Sequence, residues 1–454
     1  MSSTHIEIRI PERLGIKIKN EVYRRGSHEY VAFALVSHSK AKDKTLLLVK
    51  KVFTLDESEY VDSPYHGAMW RGASTLRIIN EAMQKQLGIV IIHTHMFGGR
   101  VGLSRDDIQS AKTLLPSYQN LISQRPHGSI VLGEDNAAGV VLLPEHDDFE
   151  GISNVRWIGK VLDDWPAGKM ATPFVSKSDI YDRQKLLIGD RGQTILSKAR
   201  VAVIGLSGGG SHVVQQLAHL GVGEIIGIDK EIAEESNRHR LIGLSRLDVI
   251  RKRKKTAIMA DMVRKINSKI RFTEVPFNIP EQEAIDEVKR ADIVIGCLDN
   301  LLARADTHEL CQRYIIPYID IGLLIIPNKD GFGIQAIGGN IFTVIPGGIC
   351  MYCNGQLSQE KINAETDGRP RSYFKGTDKQ AQVVSFNGLL ASAAVNEVLQ
   401  MLTGYAPSDD SYFMRKFDGL SNSLECWSIK PNPSCPSCEK DLAAGDPIWT
   451  EFRS

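Results

Sequence analysis

Two patterns of apolar residues divide this chain. In the first half, HEYVAFALVSH (28–38) and KTLLLVKKVFTL (44–55) concentrate aliphatic and β-branched residues and predict strands. LGIVIIHTH (87–95) is a short apolar run ending in two histidines, the signature of a buried strand. SRDDIQSAKTLL (104–115) switches to helical spacing. Periodicity fades over 145–178, which places a linker there. The expected boundaries are a first domain at 1–165, a linker at 166–178 and a second domain at 179–454. From 181 a helix is followed by the strand RVAVIG, a glycine turn, the helix SHVVQQLAHLG and the strand EIIGID. The helix KTAIMADMVRKINS and the strands RFTEV and ADIVIGCLDN come after it. Strands alternating with helices predict a parallel sheet with right-handed crossovers. The fold class is therefore α/β: a mixed α/β domain, then a Rossmann-like one.

Composition narrows the picture. The 454 residues are 42% apolar and 24% charged, enough to bury two or three cores. A net charge of +1 predicts neither a nucleic-acid nor a membrane partner. The N-terminus has no signal-peptide core, and no apolar run is of membrane length, so a cytoplasmic protein is expected. Seven cysteines in so long a chain are no disulfide framework. Four of them form two pairs, CMYC (350–353) and CPSC (435–438). Cys350, Cys353, Cys435 and Cys438 offer four thiolates for a closed tetrahedral zinc site. A redox pair or chance clustering is the alternative.

His93 and His95 stand at i and i+2 of a strand and so face the same side. Two imidazoles and one carboxylate, Asp107, suit a zinc with an open fourth position. Such a metal acidifies a bound water, and the chemistry needs a carboxylate outside the metal shell as proton shuttle. Glu29 is the candidate shuttle, and Ser104 a hydrogen-bond donor to a tetrahedral intermediate. The competing reading is purely structural. Ser104-x-x-Asp107 has the form of a helix cap, and strand histidines are often ordinary half-buried residues.

VAVIGLSGGGSHVV (201–214) is a strand, a glycine turn and a helix. Glycines allow close backbone approach to phosphates, and the helix N-terminus favours anions. Asp229, closing the next strand, suits ribose hydroxyls. By itself this pattern also fits a nicotinamide dehydrogenase or a structural turn. Arg240, Lys255 and Asp299, with Arg304 just beyond, suit polyphosphate and magnesium better. RLDVIRKRKKTA also reads as a solvated basic helix start, or as a nucleic-acid patch that the near-zero net charge disfavours.

The motifs together resemble two known families. Glu29, His93-x-His95 and Ser104-x-x-Asp107 resemble the JAMM motif of JAB/MPN metalloproteases, which cleave ubiquitin-like proteins from conjugates or tails. The likeness covers roughly 10–150 and implies His93, His95 and Asp107 as ligands, Glu29 as general acid/base and Ser104 as oxyanion donor. Eight residues separate His95 from Ser104, one more than is usual in that family, which leaves Asp106 as a rival ligand. Met96 stands where a proline is common.

Residues 178–440 resemble the ThiF/MoeB and ubiquitin-activating family of adenylating enzymes. YDRQ (181–184), GLSGGGS (205–211), DKEIAEESNRHR (229–240), Lys255, Asp299 and the two CxxC pairs carry the likeness. Ser207 replaces a glycine and Glu231 takes the second acidic place. The resemblance implies a glycine loop of Gly205, Gly208 and Gly210 and a ribose-binding Asp229. Glu231 belongs to the same nucleotide stretch. Asn237, Arg240 and Lys255 would meet the triphosphate and Asp299 magnesium, with Lys252 and Lys254 as neighbours in register. Arg183 would act from a homodimer partner. The implied reaction is attack of a ubiquitin-like C-terminal carboxylate on the ATP α-phosphate, giving acyl-adenylate and pyrophosphate.

In that family an acyl-accepting thiol commonly follows the first CxxC, and here the region holds none. Of the spare thiols, Cys297, Cys311 and Cys426, only Cys426 is a candidate. Adenylation without a built-in thioester step is expected, as in MoeB-like members. The chain ends soon after CPSCEK, so no C-terminal ubiquitin-fold domain is expected. The full expectation is an ATP-, Mg2+- and Zn2+-dependent adenylyltransferase whose first domain trims or releases the same ubiquitin-like protein. A conjugating or sulfur-transfer partner stays open. The alternatives are a non-catalytic docking module as first domain and, third, an NAD-dependent oxidoreductase.

Overall fold

A computed structural model describes residues 5–26, 28–62, 67–95, 101–144, 146, 148–167, 179–328, 333–367, 381–407, 413–432, 435, 437, 438 and 440–446. Its chain divides into two compact units. The first comprises Met1–Thr172 with Arg313–Ile315 and Asp441–Ser454, and the second Pro173–Gln312 with Ile316–Lys440.

The first unit contains β1 (His5–Pro11), α1 (Glu12–Val22), β2 (Val31–Lys40), β3 (Lys44–Thr54), α2 (Gly72–Lys85), β4 (Gly88–Thr94) and α3 (Arg105–Leu121). β5 (His127–Leu132), β6 (Ala137–Leu142), β7 (Phe149–Gly151), β8 (Asn154–Ile158) and β9 (Leu162–Pro166) follow. Among the described residues these strands form a nine-stranded mixed sheet, ordered β7-β6-β5-β4-β2-β3-β1-β8-β9. β2 explains the unbroken apolar run. Ala32, Ala34 and Val36 enter one core with Ile18 and Val22 of α1. Val31, Phe33 and Leu35 enter another with Ile78 and Ile79 of α2 and Leu115 of α3. Both faces of the sheet are covered, so alternation disappears.

The fading periodicity over 145–178 is in part strand: β7, β8 and β9 lie there. They are three to five residues long and mix Trp157 and Trp165 with Arg156, Asp163 and Asp164, too short to show a period. Of the expected linker, residues 168–178 lie outside the described residues. Residues 441–446 group with the first unit. Asp446 accepts from Ser39 Oγ at 2.8 Å and from Tyr314 Oη at 2.8 Å, and Ser37 Oγ donates to the Ala443 carbonyl at 2.7 Å.

The second unit begins with α4 (Asp182–Lys198), β10 (Arg200–Ile204), α5 (Gly208–Leu220), β11 (Glu224–Ile228), α6 (Arg246–Ile250), α7 (Lys255–Ile266), β12 (Arg271–Val275) and α8 (Gln282–Val288). It continues with β13 (Ile293–Gly296), α9 (Leu301–Arg313), β14 (Tyr318–Pro327), β15 (Ile334–Val344), α10 (Gln359–Thr366), α11 (Val384–Thr403), β16 (Met414–Asp418) and β17 (Ser423–Trp427). Its described strands order as β12-β11-β10-β13-β14-β15-β16-β17. The pairs from β12 to β14 are parallel, and β14 to β17 are antiparallel. From β10 the chain moves outward to β11 and β12, then returns to the other side of β10 as β13. That reversal is a topological switch point, where open α/β sheets bind ligands beyond the carboxyl ends of the strands.

Candidate functional site

At the switch point a cleft of about 1720 Å³ opens between the ends of β10 and β13. The glycine turn is shaped by close backbone packing. Gly205 has φ +86°, and a Cβ there would lie 2.6 Å from the Cys297 carbonyl oxygen. A Cβ on Gly210 would lie 1.9 Å from the Gly205 carbonyl oxygen, and one on Gly208 2.6 Å from Asn387 Nδ2. Side chains are excluded here, so the start of α5 presents bare backbone. Gly205 and Gly208 line the cleft, while Gly210 packs beneath the turn.

Asp229 is buried at the end of β11, and both its oxygens accept backbone N–H groups: Leu206 at 2.8 Å and Glu231 at 2.8 Å. Burial pushes its carboxyl up, and the Lys255 ammonium at 3.8 Å opposes that. Lys255 begins α7, is 3% exposed, and pairs with the Glu231 carboxylate. Of the basic neighbours, Lys252 and Lys254 are exposed and absent from the cleft lining, whereas Lys255 lines it. Arg240 lines the cleft beside Gly208 and donates from Nη1 to the Ser236 carbonyl at 2.9 Å. Asn237 is buried, and its Oδ1 accepts from Glu234 N at 3.0 Å, closing the turn that carries Arg240. Asp299 is exposed at the cleft wall, within 3.4 Å of Asn300 Nδ2.

Asp229, Glu231, Arg240, Lys255 and Asp299 therefore share one cleft. Arg183 does not. It is exposed on α4, beside the exposed Leu186 and Leu187. The far wall comes from residues that sequence reasoning missed: Glu365 of α10, Gln382, Asn387 of α11 and Lys416 of β16. Glu365 accepts from the Leu301 N–H at 2.7 Å, at the start of α9. Arg304, one turn on, binds the Leu298 carbonyl at 2.8 Å and Asp320 at 3.1 Å.

The four paired cysteines converge. Their sulfurs all lie within 4.8 Å of one another, with Cys350–Cys353 at 3.6 Å, Cys350–Cys435 at 3.4 Å and Cys353–Cys438 at 3.4 Å. Zinc at ~2.3 Å from each of four tetrahedral thiolates requires sulfurs about 3.8 Å apart, close to these spacings. A disulfide would need ~2.05 Å. The set fits zinc. Among the other thiols, burial pushes Cys297 up to about 12, and Cys311 is buried inside α9. Cys426 is exposed on β17, with Arg415 Nη1 at 3.5 Å.

In the first unit His93, at the end of β4, and His95 both meet Asp107. His93 Nε2 is 3.0 Å from Oδ1, and His95 Nε2 is 3.1 Å from Oδ2. The three offer ligand atoms within 4.8 Å of one another. A zinc ~2.0 Å from each nitrogen and oxygen would sit among donors about 3.3 Å apart, so the set fits. Asp106, the rival ligand, is exposed, whereas Asp107 faces both histidines. Asp107 also completes a capping box: its backbone N–H donates to Ser104 Oγ at 3.0 Å, and its carboxylate accepts from Ser104 N at 2.7 Å. Cap and cluster thus coexist on one residue. Glu29 is half-buried, and burial raises its carboxyl while the charges of His93 and His95 lower it. Residues 96–100, with Met96, lie outside the described residues.

The second unit thus has the sheet of a nucleotide-binding α/β protein, with phosphate- and ribose-suited groups at its switch point and a four-cysteine cluster. The ThiF family model matches residues 181–437, and the chain belongs to the ThiF family. That membership removes the nicotinamide alternative. The chain is 27% identical over 274 residues to the sulfur carrier protein ThiS adenylyltransferase of Escherichia coli K12, covering 59% of this chain and 97% of that protein. It is 24% identical over 266 residues to the SAMP-activating enzyme E1 of Haloferax volcanii, covering 57% and 88%. It is 33% identical over 265 residues to the mouse adenylyltransferase and sulfurtransferase MOCS3, covering 57% and 52%. The structure of E. coli MccB with succinimide aligns at a TM-score of 0.47 and 23% identity, over 58% of this chain and 75% of that one. Residues before 181 lie outside the family match. Among the described residues, no helix is long and apolar enough to cross a membrane.

Proposed function

We propose that the second unit adenylates the C-terminal carboxylate of a ubiquitin-like or sulfur-carrier protein, using ATP and Mg2+. The observation that carries this reading is the convergence of Asp229, Arg240, Lys255 and Asp299 on one switch-point cleft. The relatives' names, ThiS adenylyltransferase and SAMP-activating enzyme, point to the same substrate class. In this reading Asp229 orients the ribose, and the α5 N-terminus with Arg240 and Lys255 neutralises the triphosphate. Asn237 holds the turn of Arg240, and Asp299 would hold the magnesium. Glu231 holds Lys255 until a phosphate replaces it. At about 1720 Å³ the cleft exceeds the ~300–1,000 Å³ of ordinary ligand pockets, leaving room for a protein tail beside the nucleotide. Arg183 enters the cleft of a partner subunit in a homodimer, an arrangement supported by the exposed Leu186 and Leu187 beside it. No thioester step is included: the Cys297 thiol is held protonated, Cys311 is enclosed, and Cys426, exposed on β17, does not line the cleft.

The four-cysteine cluster is assigned to structural zinc. For the first unit the reading is a JAMM-like metallopeptidase that exposes the carboxylate the second unit activates. His93, His95 and Asp107 would hold a zinc that supplies an acidified water, Glu29 would move the proton and Ser104 would donate to the oxyanion. The elevated Glu29 carboxyl supports the proton role. A docking module is the second reading. It is favoured by the direct His–Asp contacts at 3.0 and 3.1 Å, which satisfy the histidines without a metal.

Mass spectrometry of candidate carriers incubated with enzyme, ATP and Mg2+ tests adenylation. An adenylate on a carrier with a free C-terminus supports it, and none on any carrier of the ThiS or SAMP class contradicts it. Zinc per chain separates the two readings of the first unit. Two zincs, one lost in a His93→Ala/His95→Ala variant, favour the peptidase, and a single zinc lost only with Cys435→Ser favours docking.

A further inference from the structure

α9 carries a side chain that the nucleotide cleft does not explain. His308 is fully buried, and neither ring nitrogen has a hydrogen-bond partner among the described residues. An unpaired buried donor or acceptor costs about 1–3 kcal/mol, so such a group calls for a partner. The His308 ring lies 5.9 Å from that of Tyr352, inclined at 57°, and Tyr352 stands between Cys350 and Cys353. Four thiolates around a divalent zinc leave two negative charges on buried or half-buried sulfur. Outer N–H donors stabilise such ligands and orient them. His308 supplies a donor that nothing else in the described chain takes up.

We propose that His308 donates a ring N–H to a sulfur of the Cys350/Cys353 pair when the four cysteines hold zinc, making it a positioning residue for that metal. The proposal rests on the zinc assignment of the cluster. It also ties α9 to the metal: Arg304, which binds Leu298 and Asp320 at the cleft, lies one helical turn from His308.

The test uses the full chain and three variants. His308→Phe keeps a ring of similar volume without either nitrogen. His308→Gln and His308→Asn place an amide N–H near the reach of Nε2 and Nδ1 respectively. Zinc affinity is read by chelator competition, with circular dichroism to establish folding. The thiolate-to-cobalt charge-transfer band is recorded on cobalt-substituted protein. The expected result is a weakening of about 10–100-fold in His308→Phe, a displaced cobalt band, and recovery of both in whichever amide variant reproduces the donor. Wild-type affinity and an unmoved band in folded His308→Phe would overturn the proposal and leave the zinc assignment standing. Equal loss in all three variants would also overturn it, by showing that only ring packing matters. A wild-type chain whose zinc content is unchanged by Cys435→Ser would overturn proposal and assignment together.

Discussion

Gly210 offers a sharp test of the glycine turn. A methyl group there would lie 1.9 Å from the Gly205 carbonyl oxygen and 2.9 Å from its carbon, both backbone atoms. Ordinary contact begins near 3.4 Å, so Gly210→Ala forces the turn and the start of α5 apart by about 1.5 Å. Overpacking of this kind costs about 1–3 kcal/mol, and the strand beneath gives little room for relief. For a unit of this size that lowers the melting temperature by roughly 2–6 °C. A misplacement of ~1 Å in a positioning element costs ~10²-fold in rate, so ATP-dependent exchange should fall by at least that much. The neighbouring Gly209 is the internal control. Its added methyl would meet Cys297 Sγ at 3.6 Å, an ordinary contact, and it lies in a helix. Gly209→Ala should leave thermal stability unchanged or raise it by about 0.4–1 kcal/mol. Calorimetry on both variants, with pyrophosphate exchange, reads the contrast. Equal melting temperatures for the two, or wild-type exchange in Gly210→Ala, would refute the packing argument.

Lys255→Ala removes the buried cation between Asp229 and Glu231, and exchange should drop by about 10²–10³-fold. Lys254→Ala, at an exposed neighbour, should change it less than threefold, about 0.6 kcal/mol. His127 is fully buried in β5, with Ile89 N donating to Nδ1 at 3.3 Å and Nε2 facing the Ile122 carbonyl at 3.1 Å. Burial lowers its pKa from 6.5 to about 4. Above pH 6.5 it is neutral in both folded and unfolded chains. Below that, the unfolded chain takes up the proton first, so stability falls by about 3 kcal/mol down to pH 4 and then levels. Urea midpoints of wild type and His127→Gln between pH 7 and 4 check this, and parallel pH profiles would contradict it. Cys353→Ser should release one zinc per chain and destabilise the second unit by several kcal/mol, measured by elemental analysis and melting.

Local signals in the sequence carried far. The strand–glycine–helix run at 200–220 is β10 and α5, because one short stretch specifies both the apolar period and the tight turn. Paired cysteines announce their cluster through chemistry that few other uses require. The histidine pair is legible for the same reason, with Asp107 as third member and Asp106 as rival, and the contacts of both histidines with Asp107 separate the two. The cleft's far wall was not legible. Glu365, Asn387 and Lys416 come from α10, α11 and β16, and their residue types say nothing alone. The grouping of residues 441–446 with the first unit was hidden too, since Asp446 meets Ser39 and Tyr314 only through tertiary folding. Arg183 shows the same limit from the other side: its motif is plain, yet one chain leaves it exposed on α4.

The central claim is that the second unit activates a protein carboxylate. It is tested most directly by ATP–pyrophosphate exchange with a ubiquitin-like carrier, once with its C-terminal carboxylate free and once amidated. Exchange that requires the free carboxylate and disappears in Lys255→Ala is the predicted result. Exchange that ignores the carrier, or that proceeds equally with the blocked C-terminus, would contradict it.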